Sequence, residues 1–308
     1  MTSTDTWPAL SYPDYSGTLQ TLHMYTQVTG KIRLALTPPQ AQLAHAPLRL
    51  SADGFTTTPL WVGDGTMTAE LDLVRHMARF LRSDGRRVEF DLGAPVADYY
   101  RDVRAALDEL GVPVRINPEP QEVADPIPFD QDRQHREYEP EQANLIWQAL
   151  IRIASVYDEY ASGYWGKQTL PAWNWGGADL AISRFSGRPA QPPQGLPKIM
   201  AATLDAESVT HVFTPGNEAS PAPGFMAMAF PPPAGIETAR VSPEAAGWVQ
   251  PPGMSEAFRL PYEAVRSTAD PRATLLSFLR STYEAAADLA GWDRELLEQR
   301  SPDLLRAA

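Results

Sequence analysis

Residues 164–188 read YWGKQTLPAWNWGGADLAISRFSGR. The stretch contains a Gly-Lys pair that follows a helical pattern, then a glycine-rich turn, then an alternating strand over Asp179–Phe185. The same order occurs earlier in the chain, where Gly30-Lys31 follows a helical pattern and an alternating strand over Pro47–Asp53 comes next. This recurrence predicts that the chain is an internal duplication.

The segments outside these strands extend the match. Further strands follow in each half, and a helix then opens at Pro95 in the first half and at Pro271 in the second. We therefore expect an α+β fold of two helix–four-stranded antiparallel meander–helix units related by a pseudo-twofold axis. The opening helices are expected over residues 15–28 and from Pro140. The alternative is a chance recurrence, because few residues match besides the Gly-Lys and Pro positions.

In the first half, Leu48, Leu50 and Ala52 are expected on the buried face of the first strand, and Ser83-Asp84-Gly85 is expected to form a hairpin turn. Residues 70–82 are expected to form one strand or two separated at Arg75-His76, and a short tail helix is expected over 294–299.

The halves are expected to meet at a proline-rich connection. Residues 1–117 form the first α+β half, residues 118–139 the linker, and residues 140–308 the second half. Prolines and charges in the linker are incompatible with a regular element but allow it to dock on the surface. The second half also has proline-rich insertions at 187–197 and 231–252, and long irregular insertions are typical of functional loops.

Composition excludes several classes of protein. The 308 residues are 43% hydrophobic, carry a net charge of −12 and include no cysteine. The negative charge argues against nucleic-acid and anionic-membrane partners. Without cysteine there can be no disulfide or thiolate site. No signal peptide is visible at the start and no window is long and apolar enough to span a membrane, so we expect a soluble cytoplasmic protein.

Aromatic and basic side chains concentrate around the glycine-rich turn. Aromatic faces beside Lys and Arg suit a planar, negatively charged small molecule, and we expect such a ligand in the groove between the halves. Alternatively, the tryptophans fill the seam between the halves. The candidate ligand-binding residues are Lys167, Trp173, Asn174, Trp175, Arg184, Arg188, His23 and Lys31.

Arg184 is the most informative of these residues. It shares a strand face with Leu180 and Ile182, and a charge on an apolar face is costly unless it is paired. We therefore expect a carboxylate beside Arg184, either from the protein or from a ligand.

Two residues are candidate proton-transfer groups. Asp179 would serve as a general base if it is partly buried, although it could instead hold the Gly-Gly turn. His211 lies on a predicted strand and could equally fill the edge of the core. Lys31 and Lys167 are placed just past helix ends, where lysine caps carbonyls or, if the two converge, binds an anion. No histidine pair has metal-ligand spacing, so neither a metal nor a cofactor is expected.

Five segments of the chain carry a family resemblance: WPAL from Trp7, TGKIRLALTP from Thr29, DPIPFD from Asp125, DLAISRFSGR from Asp179 and STYEAAADL from Ser281. Together they resemble an uncharacterised bacterial domain-of-unknown-function family to which no reaction has been assigned, and they cover nearly the whole chain. The resemblance implies a histidine at the position of Gln42 and another near Ala172. If those histidines perform the family's chemistry, this chain has lost it or does something different.

The sequence leaves two functions open. The first is a small-molecule binding protein or enzyme with its site in the groove between the halves. The second is a structural or protein-interaction module without catalytic activity, in which the tryptophans anchor an interface and the chain forms a homodimer.

Overall fold

The computed structural model describes residues 7–196, 201–250 and 256–298. Within these ranges there are six α-helices and two short 3-10 turns, the turns being Ala41–Leu43 and Ile236–Thr238. The helices are α1 (Tyr12–Leu36), α2 (Val96–Glu109), α3 (Pro140–Ala161), α4 (Tyr262–Arg266), α5 (Pro271–Leu289) and α6 (Arg294–Leu297).

The first half contributes one antiparallel sheet. Its order is β1-β2-β4-β5-β6, and β3 also pairs with β4. The turn at Ser83–Gly85 joins β5 to β6 as predicted, with Gly85 at a φ of 90°. The strands are β1 (Arg49–Leu50), β2 (Gly54–Thr56), β3 (Leu60–Val62), β4 (Gly65–Asp72), β5 (Met77–Arg82) and β6 (Arg87–Asp91).

The second half contributes another antiparallel sheet, in the order β11-β12-β10-β9-β8-β7. The α+β class is confirmed, but each sheet has six strands rather than four, and the duplication stays a prediction. The strands are β7 (Ala172–Asn174), β8 (Asp179–Pro189), β9 (Ala206–Thr214), β10 (Gly224–Phe230), β11 (Gly247–Val249) and β12 (Ala257–Pro261).

The two sheets meet at one antiparallel bridge between Leu48 and Trp173. The amide of Leu48 donates to the carbonyl of Trp173 at 2.9 Å, and the amide of Trp173 donates back at 2.8 Å. Both side chains are fully buried, and the Trp173 ring packs on Phe55 with their centroids 5.0 Å apart. A single apolar cluster therefore extends through both halves.

The helix starts at Pro140 and Pro271 are confirmed, and α2 begins directly after Pro95. The first helix differs from its prediction. It was expected to end before Gly30-Lys31 but continues to Leu36, so Lys31 lies inside α1 rather than past its end. Gly30 is tolerated there because the Trp175 indole packs directly against it, so that a β-carbon on Gly30 would lie 2.2 Å from the ring.

The first-half strand is also shorter than predicted. Only Arg49–Leu50 is extended within the expected 47–53 segment, and Ala52, predicted to be buried with Leu48, is exposed. The chain turns at Ser51, whose hydroxyl donates to Asp53. The alternation of apolar and polar residues in the sequence therefore extends beyond the observed strand.

The linker 118–139 contains no helix or strand, but it is docked, because Phe129 and Asp132 are fully buried. The insertions are largely irregular over 190–196 and 231–246, and residues 197, 251 and 252 lie outside the described residues. The tail helix expected over 294–299 is observed as Arg294–Leu297, and Gln299 again lies outside. In the described part of the chain, no helix is both long and apolar enough to cross a membrane.

Candidate functional site

The turn between β7 and β8 holds the first carboxyl group of the candidate site. Asn174 and Asp179 are cross-strand partners at the ends of the two strands, so their side chains lie on the same face. The side-chain amide of Asn174 donates to Oδ1 of Asp179 at 2.8 Å. Asp179 is half-buried, while Gly177 in the turn is exposed to solvent. The carboxyl group is therefore fixed in position at a point where a ligand has access.

A second carboxyl group reaches the same turn from the linker. A β-carbon placed on Gly177 would lie 2.6 Å from Oδ2 of Asp179 and 3.6 Å from Oε2 of Glu122, so both carboxyl groups border one small space. Glu122 has a left-handed backbone, with a φ of 57°, which side chains rarely adopt. We refer to Asp179 and Glu122 as the acid pair.

The environment favours the protonated forms of the acid pair. Burial raises the pKa of Asp179 to about 7, the Asn174 hydrogen bond opposes this, and the charge of Glu122 adds to it. Burial also raises the pKa of Glu122. Two carboxyl groups in one partly desolvated space cannot both ionise without repulsion, so one of them retains a proton near neutral pH.

A neutral histidine on α1 holds the turn between β7 and β8 through hydrogen bonds. Nε2 of His23 lies 2.9 Å from the carbonyl oxygens of both Trp175 and Gly176. Because carbonyls only accept, Nε2 must carry the hydrogen. Burial lowers the pKa of His23 to about 4, so the ring is uncharged at neutral pH. His23 thus positions the turn and is not itself free to accept a proton at Nε2.

The linker is held to the same helix one turn further on. The side-chain amide of Gln27 donates to the carbonyl of Gln121 at 2.7 Å and accepts from the amide of Gln121 at 2.9 Å. This reciprocal pair fixes the orientation of the Gln27 amide group. Since Gln121 precedes Glu122, the pair also fixes where the second carboxyl group starts.

One further polar group belongs to this environment. Tyr157 on α3 is fully buried, and its hydroxyl has no hydrogen-bond partner among the described residues. Its pKa is raised well above the ordinary value, first by burial and then by the charge of Asp179. A buried hydroxyl without a partner destabilises the folded protein, so binding of a hydrogen-bond donor or acceptor from outside the protein would be favoured there.

The acid pair can therefore exchange a proton near neutral pH. A carboxyl group whose pKa lies near the working pH is suited to general acid or general base catalysis. Asp179 is the group for this role, Asn174 orients it, and burial, with a smaller contribution from Glu122, raises its proton affinity.

The predicted tryptophans occupy the core instead of lining an open groove. Trp173 is fully buried and donates from Nε1 to Oγ1 of Thr26 at 3.2 Å. Trp175 packs on Gly30 and donates from Nε1 to the carbonyl of Ala46 at 2.9 Å. Both rings therefore fill the seam between the halves, and Trp175 contributes only its carbonyl to the site.

Arg184 is buried as expected, but its partner is not a carboxylate. Its guanidinium carbon lies 3.5, 4.5 and 4.8 Å from the ring centroids of Tyr160, Tyr283 and Tyr164, respectively. It also donates to the carbonyl of Tyr160, and no described carboxylate lies within ion-pair distance. We refer to the three rings as the tyrosine cage, in which cation–π attraction replaces the expected ion pair.

His211 lies beside the tyrosine cage and away from the acid pair. It is fully buried, its Nε2 lies 2.9 Å from Oγ1 of Thr282, and its ring packs edge-on against Tyr160. Burial, with the charge of Arg184, lowers its pKa to about 3. His211 is therefore a neutral core residue of the second half, as the alternative interpretation held.

The remaining predicted cations are dispersed. Lys31 donates to the carbonyl of Glu119 at 2.7 Å, so it binds the linker instead of capping α1. Lys167 is exposed and donates to the side chain of Gln42. Arg188 forms an ion pair with Glu207 at 2.7 Å. These three residues have separate partners, and the convergence of the two lysines on an anion is not observed.

The structure thus brings together four of the sequence candidates: His23, Asn174, Asp179 and the backbone of Trp175. Sequence analysis missed Glu122, Gln27 and Tyr157. Glu122 lies in a charged linker, and Gln27 lies within the predicted first helix, where a glutamine has no distinguishing feature. Only the four-residue spacing of His23, Gln27 and Lys31, which aligns them on one helix face, could have indicated the linker contact.

The described residues contain no group of three acidic, histidine or cysteine side chains that could hold a metal ion. Gln42 and Ala172, where the resemblance implied histidines, make contacts that involve neither member of the acid pair. Gln42 sits in the first 3-10 turn and bonds to Asp205, while Ala172 is buried in β7 opposite Ala181.

Comparison with known proteins gives a family without an assigned activity. No curated protein and no solved structure matches the chain. A family of unknown function, DUF5996, matches residues 7–299. The match covers nearly the whole chain and agrees with the resemblance carried by its sequence motifs. This chain is therefore a member of DUF5996.

Proposed function

We propose that this protein binds a small molecule at the acid pair and transfers a proton there, as a cytoplasmic enzyme. The observation that carries the proposal is the pairing of two carboxyl groups, Asp179 and Glu122, around an exposed two-glycine turn. Glycines leave the backbone open to close approach by a ligand. The exposure of Gly177 beside both carboxyl groups supports access of a ligand to the acid pair.

The lining of this site bears on the kind of ligand. An anionic, partly planar molecule was expected because several cations are close in sequence, but those cations have separate partners. An acid pair favours a ligand that donates a hydrogen bond or carries a basic nitrogen. We therefore propose a neutral or basic small molecule for this site, protonated or deprotonated by Asp179.

The proposal is tested by native mass spectrometry of the full-length protein. Wild type and Asp179→Asn are each incubated with a metabolite extract filtered below ~1 kDa and compared with the denatured chains. Asparagine keeps the shape of the side chain and can still accept from Asn174, but it cannot exchange a proton. We expect an adduct of defined mass on the wild type that is at least about tenfold weaker on Asp179→Asn, the loss of one charged hydrogen bond.

Asp64→Asn is the matched control, because Asp64 is exposed in the turn between β3 and β4. It should retain the adduct in full. An adduct held equally by wild type and Asp179→Asn would contradict the proposed site, and so would the absence of any adduct across extracts from several growth conditions.

A protein-interaction module is the second candidate. Two large apolar side chains, Trp165 and Leu170, are 64% and 56% exposed in the connection between α3 and β7. Exposed aromatic residues of this kind can anchor a homodimer. Light scattering of wild type and a Trp165→Ser, Leu170→Ser double variant distinguishes the two. A dimer that the double substitution converts to a monomer would favour this candidate.

A further inference from the structure

A second group of like charges lies on the other side of Trp175. Arg33, near the end of α1, is 8% exposed, and its Nε has no hydrogen-bond partner. Arg49 in β1 is half-buried, and among the described residues its side chain has one hydrogen bond, from Nη1 to the carbonyl of Leu170 at 3.3 Å. No described carboxylate lies within ion-pair distance of either arginine. We refer to the two residues as the arginine pair.

Two threonines, Thr56 and Thr58, connect the arginine pair. Arg49 is the cross-strand partner of Thr56, which puts their side chains on one face of the sheet. Oγ1 of Thr56 accepts from the amide of Thr58 at 3.1 Å. Oγ1 of Thr58 in turn accepts from Nη1 of Arg33 at 2.8 Å. The pKa of Arg33 is lowered first by burial and then by the charge of Arg49, which agrees with the two arginines lying close together.

Thr58 is held in an unfavourable conformation at this position. Its φ is 59°, in the left-handed region that β-branched residues avoid. Its carbonyl accepts from the hydroxyl of Thr57 at 2.8 Å, which helps to keep it there. Backbone strain of this kind clusters at ligand-binding positions, and here its effect is to present a hydroxyl group to Arg33.

A neutral histidine supplies another hydrogen-bond donor. His45 is 3% exposed, and its Nδ1 accepts from the backbone amide of Gln40 at 3.1 Å. Since Nδ1 accepts, the hydrogen is on Nε2, which has no partner among the described residues. Burial and the charge of Arg33 lower the pKa of His45, so the ring stays neutral and close to the arginine pair.

A structural role accounts for only part of this arrangement. A cation near the end of α1 is stabilised by the helix dipole, which would explain Arg33 alone. It does not explain why Arg49 lies beside it, since two partly desolvated cations repel each other. Burial lowers the pKa of Arg49, and the charge of Asp158 on α3 only opposes this, because Asp158 is exposed and not in an ion pair with it. Thr37, one turn after Arg33, has a buried hydroxyl without a partner as well.

We propose that Arg33, Arg49 and His45 form a binding site for an oxyanion, namely the phosphate or carboxylate group of a small molecule. Guanidinium groups bind both groups through paired hydrogen bonds, and an anion between the arginines would turn their repulsion into attraction. The imidazole Nε2–H of His45 adds a neutral donor. This site is separate from the acid pair and does not depend on the function proposed there.

The test is thermal unfolding of the full-length protein in a buffer without phosphate or carboxylate. Inorganic phosphate is titrated in one series and acetate in another, and sodium chloride at equal ionic strength serves as the reference. We expect Tm to rise by about 2 °C for each tenfold increase in one oxyanion above its dissociation constant. Which series responds tells whether the group bound is tetrahedral or planar.

Arg49→Gln provides the decisive variant, because Arg49 has only one long hydrogen bond to lose. It should have a higher Tm than the wild type in chloride alone, since the repulsion is relieved, and it should lose the oxyanion response. Arg104→Gln, on the exposed surface of α2, is the control and should behave like the wild type in every series. An arginine with a purely structural role would instead lower Tm in every buffer when replaced.

Native mass spectrometry of freshly purified protein covers the case of a tightly held ligand. An adduct on the wild type that is missing from Arg49→Gln would support the site, and its mass would separate a free oxyanion from a larger metabolite. The proposal is overturned if the wild type carries no such adduct and oxyanions raise Tm no more than chloride does. It is also overturned if Arg49→Gln responds to oxyanions as the wild type does.

Discussion

Two regions of this molecule bury charge without an ion pair, and they do so in different ways. In the tyrosine cage one guanidinium, that of Arg184, is surrounded by three aromatic rings and a backbone carbonyl. At the seam, like charges lie next to each other. The two carboxyl groups of the acid pair are on one side of Trp175, and the two guanidinium groups of the arginine pair are on the other. The charge of Arg184 is shielded by groups of the chain itself, although its Nε has no hydrogen-bond partner among the described residues. Each pair at the seam is instead stabilised only by a group of opposite charge or by a proton.

The difference gives a physical criterion for separating structure from function. Aromatic faces attract a cation and shield it, so Arg184 needs no ligand. Two cations or two carboxylates in one partly desolvated space raise the free energy of the folded protein. Removing a charge from the cage should therefore destabilise the fold, and removing one from the seam should stabilise it under defined conditions.

The largest effect is expected in the cage. Arg184→Met keeps most of the volume of the side chain but loses the cation–π contacts and the hydrogen bond to Tyr160. We expect the free energy of unfolding to fall by about 3 kcal/mol, measured by urea denaturation. Arg188→Met, on the exposed part of the same strand, should change it by less than about 1 kcal/mol. An equal loss in both variants would contradict the role of the cage.

A smaller loss of stability is expected at the contact between Gly30 and Trp175, which lies between the acid pair and the arginine pair. Gly30→Ala would place a β-carbon 2.2 Å from the Trp175 indole, so the ring must move. We expect a loss of about 2 kcal/mol in the free energy of unfolding, measured in the same way. Gly163→Ala, which meets nothing within 4 Å, is the control. If Gly30→Ala were as stable as the control, Trp175 would not be fixed by α1.

The smallest expected effect is a pH-dependent gain in stability when Asp179 is replaced. The folded-state pKa of Asp179, about 7, lies above that of an unfolded aspartate, so folding takes up a proton between about pH 4 and pH 7. Stability from this group is thus present at pH 4 and is lost as pH rises through that range. The free energy of unfolding of Asp179→Asn, relative to that of the wild type, should therefore rise by roughly 1–2 kcal/mol from pH 5 to pH 8. This figure allows for screening by solvent at the partly exposed carboxyl group.

Urea denaturation at the two pH values measures this difference, and Asp64→Asn should show no comparable change. A difference that does not vary with pH would mean that the pKa of Asp179 is close to its unfolded value. The acid pair would then not share a proton. Unlike the arginine pair, it would not raise the free energy of the folded protein through repulsion of like charges.

Local sequence patterns were sufficient for much of the fold. The Asp-Gly turn at 84–85, the break at Arg75-His76 and the proline-initiated helices were predicted correctly, because each depends on the conformational preferences of a few neighbouring residues. The end of α1 was predicted wrongly, because Gly30 is a helix breaker locally but lies under Trp175 in the folded protein. Intrinsic preference was overridden there by packing.

The candidate site was predicted only in part. Asp179 and Asn174 were identified because they flank a glycine-rich turn, and His23 because it follows Leu19 by one turn on the face of the first helix. Glu122 was not, because a glutamate in a charged linker has no distinguishing feature. Arg33 and Arg49 were not identified either, since arginines at a helix end and in a short strand are common on protein surfaces.

The sequence by itself determined the α+β class, most element positions and the burial of Arg184, because alternation, turn residues and strand faces are properties of short segments. Only the tertiary structure decided which charges meet. Glu122 comes to Asp179 through the docking of the linker on α1, and Arg33 comes to Arg49 through Thr56 and Thr58. The physical reason is that repulsion and cation–π attraction act over a few ångströms in space, whatever the separation along the chain.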